Sequence, residues 1–273
     1  MQHENVSHFS KIAVITGAGG LLGKVHAEAL LELDLAIAIS DINLEALGPL
    51  YDELSKLFPN STIIPLKIDV TDKSSILEAS DLLKEMGFQV TCLINNASIN
   101  PQPNSLSTNS RFESFSLDQW NKELEVGLTG SFLCSQVFGS EMARNGLGVI
   151  LNIASDLSVI APNQDLYRVP GLRDGEQPVK PVSYSVAKTA LVGLTRYLST
   201  YWAKTGVRVN ALSPGGVENG QNSEFKAKLE VLIPLGRMAN LKDIKGAVKF
   251  LCSSESEYVT GINLVVDGGR SVW

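Results

Sequence analysis

Short runs that are apolar throughout alternate with longer stretches of helical periodicity along almost the whole chain. Lys11–Ile15 reads as a strand, Leu21–Leu33 carries the 3.6-residue spacing of a helix, and Leu35–Ile39 is a strand again. The alternation continues through helix Leu44–Leu57, strand Ile63–Leu66, helix Ser74–Met86, strand Val90–Ile94 and a long helix from about Leu117 to Arg144. Strand Val149–Ile153, helix Ser183–Lys204, strand Val207–Leu212, helix Leu241–Cys252 and strand Ile262–Val266 complete it. A strand with apolar residues at every position is covered on both faces. The pattern therefore predicts an α/β fold, a doubly wound parallel sheet of seven strands with helices on both faces.

No repeat or linker interrupts this alternation, so one domain is expected over residues 11–273, preceded by a flexible tail over residues 1–10. Two irregular stretches stand out: Asn100–Ser116, rich in Asn, Ser and Pro, and an insertion at about 161–182 carrying Pro162, Pro170, Pro178 and Pro181. Loops this long in a compact domain are usually functional or disordered. Composition adds limits. With 44% hydrophobic residues in 273, the chain can bury a sizeable core without cross-links. Cys92, Cys134 and Cys252 each lie in an apolar segment and are expected as buried small hydrophobes, with no disulfide and no metal site. The net charge of −6 has the wrong sign for a protein that neutralises phosphates, so no nucleic-acid partner is expected. Residues 1–8 lack the pattern of a secretory leader and no apolar run reaches membrane-spanning length, so a cytoplasmic protein without membrane contact is expected.

The first strand runs into Thr16-Gly17-Ala18-Gly19-Gly20-Leu21-Leu22-Gly23 and then a helix. Glycines there let the backbone approach a pyrophosphate, whose charge lies against the free N–H groups of the helix N-terminus. Such a turn also occurs without a ligand, but here an acid, Asp41, closes the second strand, as in Rossmann-type dinucleotide sites. A carboxylate at that place accepts hydrogen bonds from ribose hydroxyls and repels a 2′-phosphate, which favours NAD over NADP. The same acid is also suited to capping the following helix, and the two roles are compatible.

Tyr184 and Lys188 are four residues apart on one helix face. A neighbouring ammonium favours the phenolate, which would bring the tyrosine down from its ordinary pKa of about 10 toward a usable acid/base. Ser155 follows the fifth strand, at the end of the sheet where doubly wound folds bind ligands. Together with Asp69-Val70, Asn95-Asn96-Ala97, Val207-Arg-Val-Asn210, Pro214-Gly215 and Val265-Val-Asp-Gly-Gly269, these motifs resemble, in the same order, the single-domain branch of the short-chain dehydrogenase/reductase family. The resemblance implies that Tyr184 is the general acid/base, that Lys188 lowers its pKa and binds the nicotinamide ribose, and that Ser155 holds the substrate oxygen. It further implies that Gly17, Gly20, Leu21, Leu22 and Gly23 form the phosphate turn. By the same resemblance Asp69 and Val70 meet adenine, Asn95 and Ala97 line the cofactor cleft, and Val217, after Pro214 and Gly215, meets the carboxamide.

Three departures from that pattern matter. Leu21 stands where the branch usually has its second glycine; Gly127 stands where it has a catalytic asparagine; and Ser155 is 29 residues from Tyr184, a longer gap than usual. Tyr167 lies closer to the usual gap, but Gly171 follows it where a lysine is required. Polar residues crowd the irregular stretches: Asn100, Gln102, Asn104 and Arg111 in the first; Gln164, Asp165, Tyr167, Arg168, Arg173, Asp174, Glu176 and Lys180 in the insertion. The segment after Pro214 adds Glu218, Asn219, Gln221 and Asn222. They suit a polar small-molecule substrate, a sugar, polyol or sugar-derived acid, with Arg168, Arg173 or Lys180 as candidates to meet an anionic group. The alternatives are a 3-oxoacyl carrier-protein reductase, disfavoured by Asp41 and the acidic balance, and a catalytically weak NAD-binding regulatory protein, suggested by Gly127. Leu191, Leu194, Leu198, Tyr201 and Trp202 give the helix from Ser183 more apolar surface than one sheet face is expected to cover, and the family resemblance implies a homotetramer or homodimer.

Overall fold

The computed structural model describes residues 9–100 and 110–273. Most of the expected N-terminal tail, together with Gln102 and Asn104, lies outside the described residues. Seven strands, β1 (Ser10–Ile15), β2 (Ala36–Asp41), β3 (Ile63–Lys67), β4 (Phe88–Asn95), β5 (Gly148–Ile153), β6 (Val207–Pro214) and β7 (Asn263–Val266), form one sheet in the order β3-β2-β1-β4-β5-β6-β7. Every pairing is parallel. The uniformly apolar strands are buried on both faces because two separate cores cover them. On one side Ile15, Ile37 and Leu151 pack with α1 (Gly23–Leu31), α2 (Gly48–Leu57) and α9 (Leu241–Cys252). On the other Val14, Leu93 and Ile150 pack with α3 (Lys73–Glu85), α5 (Gly130–Cys134), α6 (Ser140–Asn145) and α7 (Val182–Tyr201). The strand order reverses between β1 and β4, and a crevice opens there beyond the strands' carboxyl ends.

The expected long helix from Leu117 is continuous to Asn145 but not uniform: α4 (Leu117–Leu124), α5 and α6 are joined by π-helical stretches at Glu125–Thr129 and Ser135–Gly139. Such wide turns tend to occur at functional sites. Gly127, buried, lies in the first of them. The sequence pattern missed α8 (Ser223–Glu230) altogether. The insertion is also more ordered than its composition suggests. A 3₁₀ turn at Gln164–Tyr167 puts Leu166 into a small satellite core with Leu229, Ile233 and Met238, against which Tyr167 and Phe225 pack. The expected surplus of apolar surface on α7 is corrected too: Leu191, Leu198 and Trp202 are buried and Leu194 packs on the core. Of the five, Tyr201 is the exposed one, stacked on Tyr197 at 5.7 Å. All three cysteines are buried and free.

Candidate active site

The turn after β1 is shaped by two glycines. Gly17 has φ +61°, and a Cβ there would come within 2.7 Å of the Ala97 backbone; a Cβ on Gly23 would come within 1.8 Å of the Ala18 carbonyl oxygen. Gly23 therefore seats α1 on the turn rather than lining the cleft, a correction to its expected direct role. The N-cap of α1, Leu22, makes no side-chain cap; the Gly23 N–H turns back to the Gly20 carbonyl at 3.1 Å, and the helix end presents its positive pole to the cleft. Asp41 ends β2 opposite the turn: its carboxylate accepts from the Gly19 N–H at 3.2 Å and from the Asn43 N–H at 3.1 Å. The helical cap of the next segment is Asn43, which accepts from Glu45 N–H, so Asp41 is not spent on capping.

A cleft of about 480 Å³ runs along this edge, lined by Gly17, Gly20, Leu21, Leu22, Asp41, Asp69, Val70, Ala97, Tyr184 and Lys188. The uncapped helix end, the open glycine turn and the acid at its side fit a dinucleotide. Asn95 is a correction. Strand alternation turns it away from the cleft into the core, where its amide donates to Asn152 Oδ1 at 2.8 Å and Ser135 Oγ at 3.1 Å. Its neighbour Asn96 takes the place at the site, donating to the carbonyls of Thr16 at 3.0 Å and Gly17 at 2.8 Å and so fixing the turn. The alternation of β4 was the signal in the sequence that only one of the two asparagines faces the cleft.

A second cavity of about 570 Å³ adjoins the first and is lined in part by Ser155, Tyr184, Pro214, Gly215 and Val217. Tyr184, half-buried, borders both cavities, whereas Tyr167 borders only the second and packs its ring on Phe225 at 5.7 Å. Ser155 lines this cavity beside Tyr184 and donates to Asp156 Oδ1 at 2.9 Å. Asp156 is in turn paired with Arg270 at 2.6 Å, both side chains buried. Lys188 Nζ donates to the Ile153 carbonyl at 2.8 Å and stands 5.7 Å from the centre of the Tyr184 ring. Enclosure of the site pushes the Tyr184 phenol up to about 12, more than the neighbouring Ser155 hydroxyl pulls it down. The expectation that Lys188 brings the phenol down is corrected: the groups acting on it are its burial, Ser155 and Asp156. Burial, and secondarily the charge of Lys180, push Lys188 down to about 8. Gly127 has space beside it: a Cβ would sit 3.6 Å from both Ala187 Cβ and Ser98 Oγ, and its carbonyl accepts from Ser131 Oγ at 3.1 Å.

The substrate-side wall departs from the expected polar lining. Asn100, Lys180, Asn219, Gln221 and Asn222 line it, but so do Leu157, Leu166, Phe225, Leu229 and Met238. From the insertion, Arg168 and Arg173 are corrected out of the cavity: they are occupied by Asp174 and Glu176 on the surface. Arg111 donates to the Asp174 carbonyl and Glu218 pairs with Lys226. The apolar half was hidden because α8 was not recognised and because Leu166 lies in a segment without period.

Residues 11–167 match the short chain dehydrogenase family model, and residues 175–271 match that of enoyl-(acyl carrier protein) reductase. The chain is 30% identical to the NAD-dependent glycerol dehydrogenase of Listeria innocua, over 96% of this chain and 94% of that protein. Among solved structures, a gluconate 5-dehydrogenase from Burkholderia cenocepacia in complex with NADP and tartrate superposes with a TM-score of 0.82 at 27% identity, covering 97% of each chain. A 3-oxoacyl-[acyl-carrier protein] reductase with bound NAD from Brucella melitensis superposes equally well, 0.82 at 26% identity, over 98% of this chain and 93% of that one.

Proposed function

The chain belongs to the short-chain dehydrogenase/reductase family and is an oxidoreductase acting on alcohol groups; from that premise we propose that it transfers a hydride between NAD and a secondary alcohol or ketone of a polar, sugar-like substrate. The observation that carries this reading is the position of Tyr184, beside Ser155 at the junction of the two cavities, with Lys188 one helical turn away. Bound NAD would supply the hydride-accepting carbon. In alcohol oxidation Tyr184 takes the proton of the substrate hydroxyl as its carbon gives up hydride, and Ser155 holds the same oxygen. Lys188 adds positive charge on the side of the phenol that faces the cofactor cleft. Gly17, Gly20, Leu21 and Leu22 cradle the pyrophosphate, Asp69, Val70 and Ala97 border the adenine side, and Pro214, Gly215 and Val217 border the nicotinamide side.

The NAD preference rests on Asp41, whose carboxylate faces the turn where a 2′-phosphate would have to lie. The sugar-like substrate is supported by Asn100, Lys180, Asn219, Gln221 and Asn222 in the wall. The apolar patch of Leu166, Phe225, Leu229 and Met238 favours a second reading, reduction of an acyl thioester. A panel of polyols, sugar acids and 3-hydroxyacyl thioesters, followed by NADH formation, separates them: polyols or sugar acids are expected to turn over, and turnover of thioesters alone would contradict the reading. Calorimetry is expected to give tighter binding of NAD than of NADP; equal or reversed affinities would contradict the role given to Asp41. A homodimer or homotetramer is part of the proposal, supported by Val186, Tyr197 and Tyr201, exposed along one stripe of α7.

A further inference from the structure

Lys180 stands where the 161–182 segment rejoins the core, one residue before Pro181 caps α7. It is 8% exposed. Its backbone N–H donates to Gln164 Oε1 at 2.8 Å, and its ammonium donates to Asn100 Oδ1. That ammonium lies 4.0 Å from the centre of the Tyr184 ring, nearer than Lys188 at 5.7 Å. Of these two ammonium groups, the one nearer the ring centre is thus delivered by the insertion, not by the helix that carries Tyr184.

We propose that Lys180 is a positioning residue for Tyr184: anchored by Asn100 and Gln164, its ammonium favours the phenolate and forms, with Lys188, a two-cation clamp on the group that moves the proton. The inference rests on Tyr184 being that group, as in the reading above. A cation over an aromatic face attracts the neutral ring weakly and a phenolate, with its full negative charge, far more strongly. Enclosure works against a phenolate at Tyr184, so a cation on the ring opposes the largest force acting on that group. The two ammonium groups also repel each other, and Lys180 helps push Lys188 down. A phenolate on the ring both ammonium groups approach would offset that repulsion.

The surroundings keep Lys180 charged in the neutral range. Burial brings it down to about 8, while Glu123 of α4 and Asp156 beyond β5 act in the opposite direction. Arg270, from the C-terminal segment, neutralises much of Asp156. Tyr167, of the insertion, is pushed up to about 12 by burial and stays uncharged. Ser155, beside Tyr184, completes the set by acting to bring the phenol down.

The test compares Lys180→Gln, which keeps a polar reach toward Asn100 and loses the charge, with Lys180→Arg, which keeps the charge. Tyrosinate absorbance is titrated in the cofactor-free protein, and the Tyr184 contribution is identified by subtracting Tyr184→Phe. The pH profile of kcat/KM for alcohol oxidation is measured beside it. Lys180→Gln is expected to move both the Tyr184 titration and the acid limb of the profile upward by about one pH unit, and to lower kcat about tenfold at neutral pH. Lys180→Arg is expected to restore both. Unmoved titration and profile would overturn the proposal, as would a rise in KM alone, which would make Lys180 a substrate contact. The absorbance titration needs no substrate, so it decides on Lys180 even where the proposed substrate class fails. Should Lys180→Gln not fold, Asn100→Ala frees the ammonium and is expected to shift the titration in the same direction; no shift there would equally overturn the proposal.

Discussion

At the scale of single residues, the site depends on side chains whose charge is set by enclosure. His26 of α1 is fully buried; its Nε2 meets Asn96 Oδ1 at 3.2 Å, and burial brings its pKa down to about 4. Asn96 in turn fixes the Thr16 and Gly17 carbonyls, so His26 supports the glycine turn through Asn96. The unfolded chain takes up a proton here near pH 6.5, while the folded protein resists until about 4. Stability from this group is therefore complete above pH 6.5 and is lost as the pH falls toward 4, by about 3 kcal/mol over that window. Urea midpoints at pH 7 and pH 4.5 test this: His26→Gln is expected to show a smaller acid loss than the unsubstituted protein, and equal losses would contradict it. Residue identities at the site were largely legible because Tyr184, Lys188, Ser155 and Asp41 sit in short local motifs. The exchange of Asn95 for Asn96 was not, since it turns on which face of β4 each side chain takes. Nor was the Asp156–Arg270 pair, whose members are far apart in the chain.

At the scale of elements, the seven strands were legible because each contains a short run of apolar residues between helical stretches, and α9 spans Leu241–Cys252 as its periodicity predicts. α8 was not. Its sequence, Ser223–Glu230, has only Phe225 and Leu229 as large apolar residues, and the surface they cover comes from Leu166 and Tyr167 of the insertion. Helix formation there is decided by a non-local contact that no local pattern contains. The π-helical stretch around Gly127 gives a prediction at this scale. A Cβ on Gly127 finds only ordinary contacts, so Gly127→Ala is expected to stabilise the protein by about 1 kcal/mol through helix propensity. Gly139, in the second π-helical stretch, has Trp202 ring atoms 2.6 Å from where a Cβ would be, and Gly139→Ala is expected to destabilise by about 1–3 kcal/mol through overpacking. Denaturant unfolding of the two variants reads the difference in sign. Loss of stability in Gly127→Ala would show that the wide turn itself requires glycine.

At the scale of the whole molecule, a chain with net charge −6 brings two cations, Lys180 and Lys188, to the ring of one tyrosine, Tyr184. The acidic composition led to the expectation of no nucleic-acid partner but did not reveal this local pair of cations, because it is made by the insertion and α7 together. The proposed assembly also belongs to this scale: sedimentation at micromolar concentration is expected to give a dimer or tetramer, and Tyr197→Glu with Tyr201→Glu to reduce it; a monomeric unsubstituted protein would contradict it. The central claim, that Tyr184 moves the substrate proton beside bound NAD, is tested most directly by comparing Tyr184→Phe with Tyr167→Phe on whichever polyol or sugar acid the panel identifies. Tyr184→Phe is predicted to bind NAD with unchanged affinity and to lose about 10²–10⁴-fold in kcat, while Tyr167→Phe stays within about tenfold of the unsubstituted enzyme. Full activity in Tyr184→Phe, with turnover lost in Tyr167→Phe, would contradict the account.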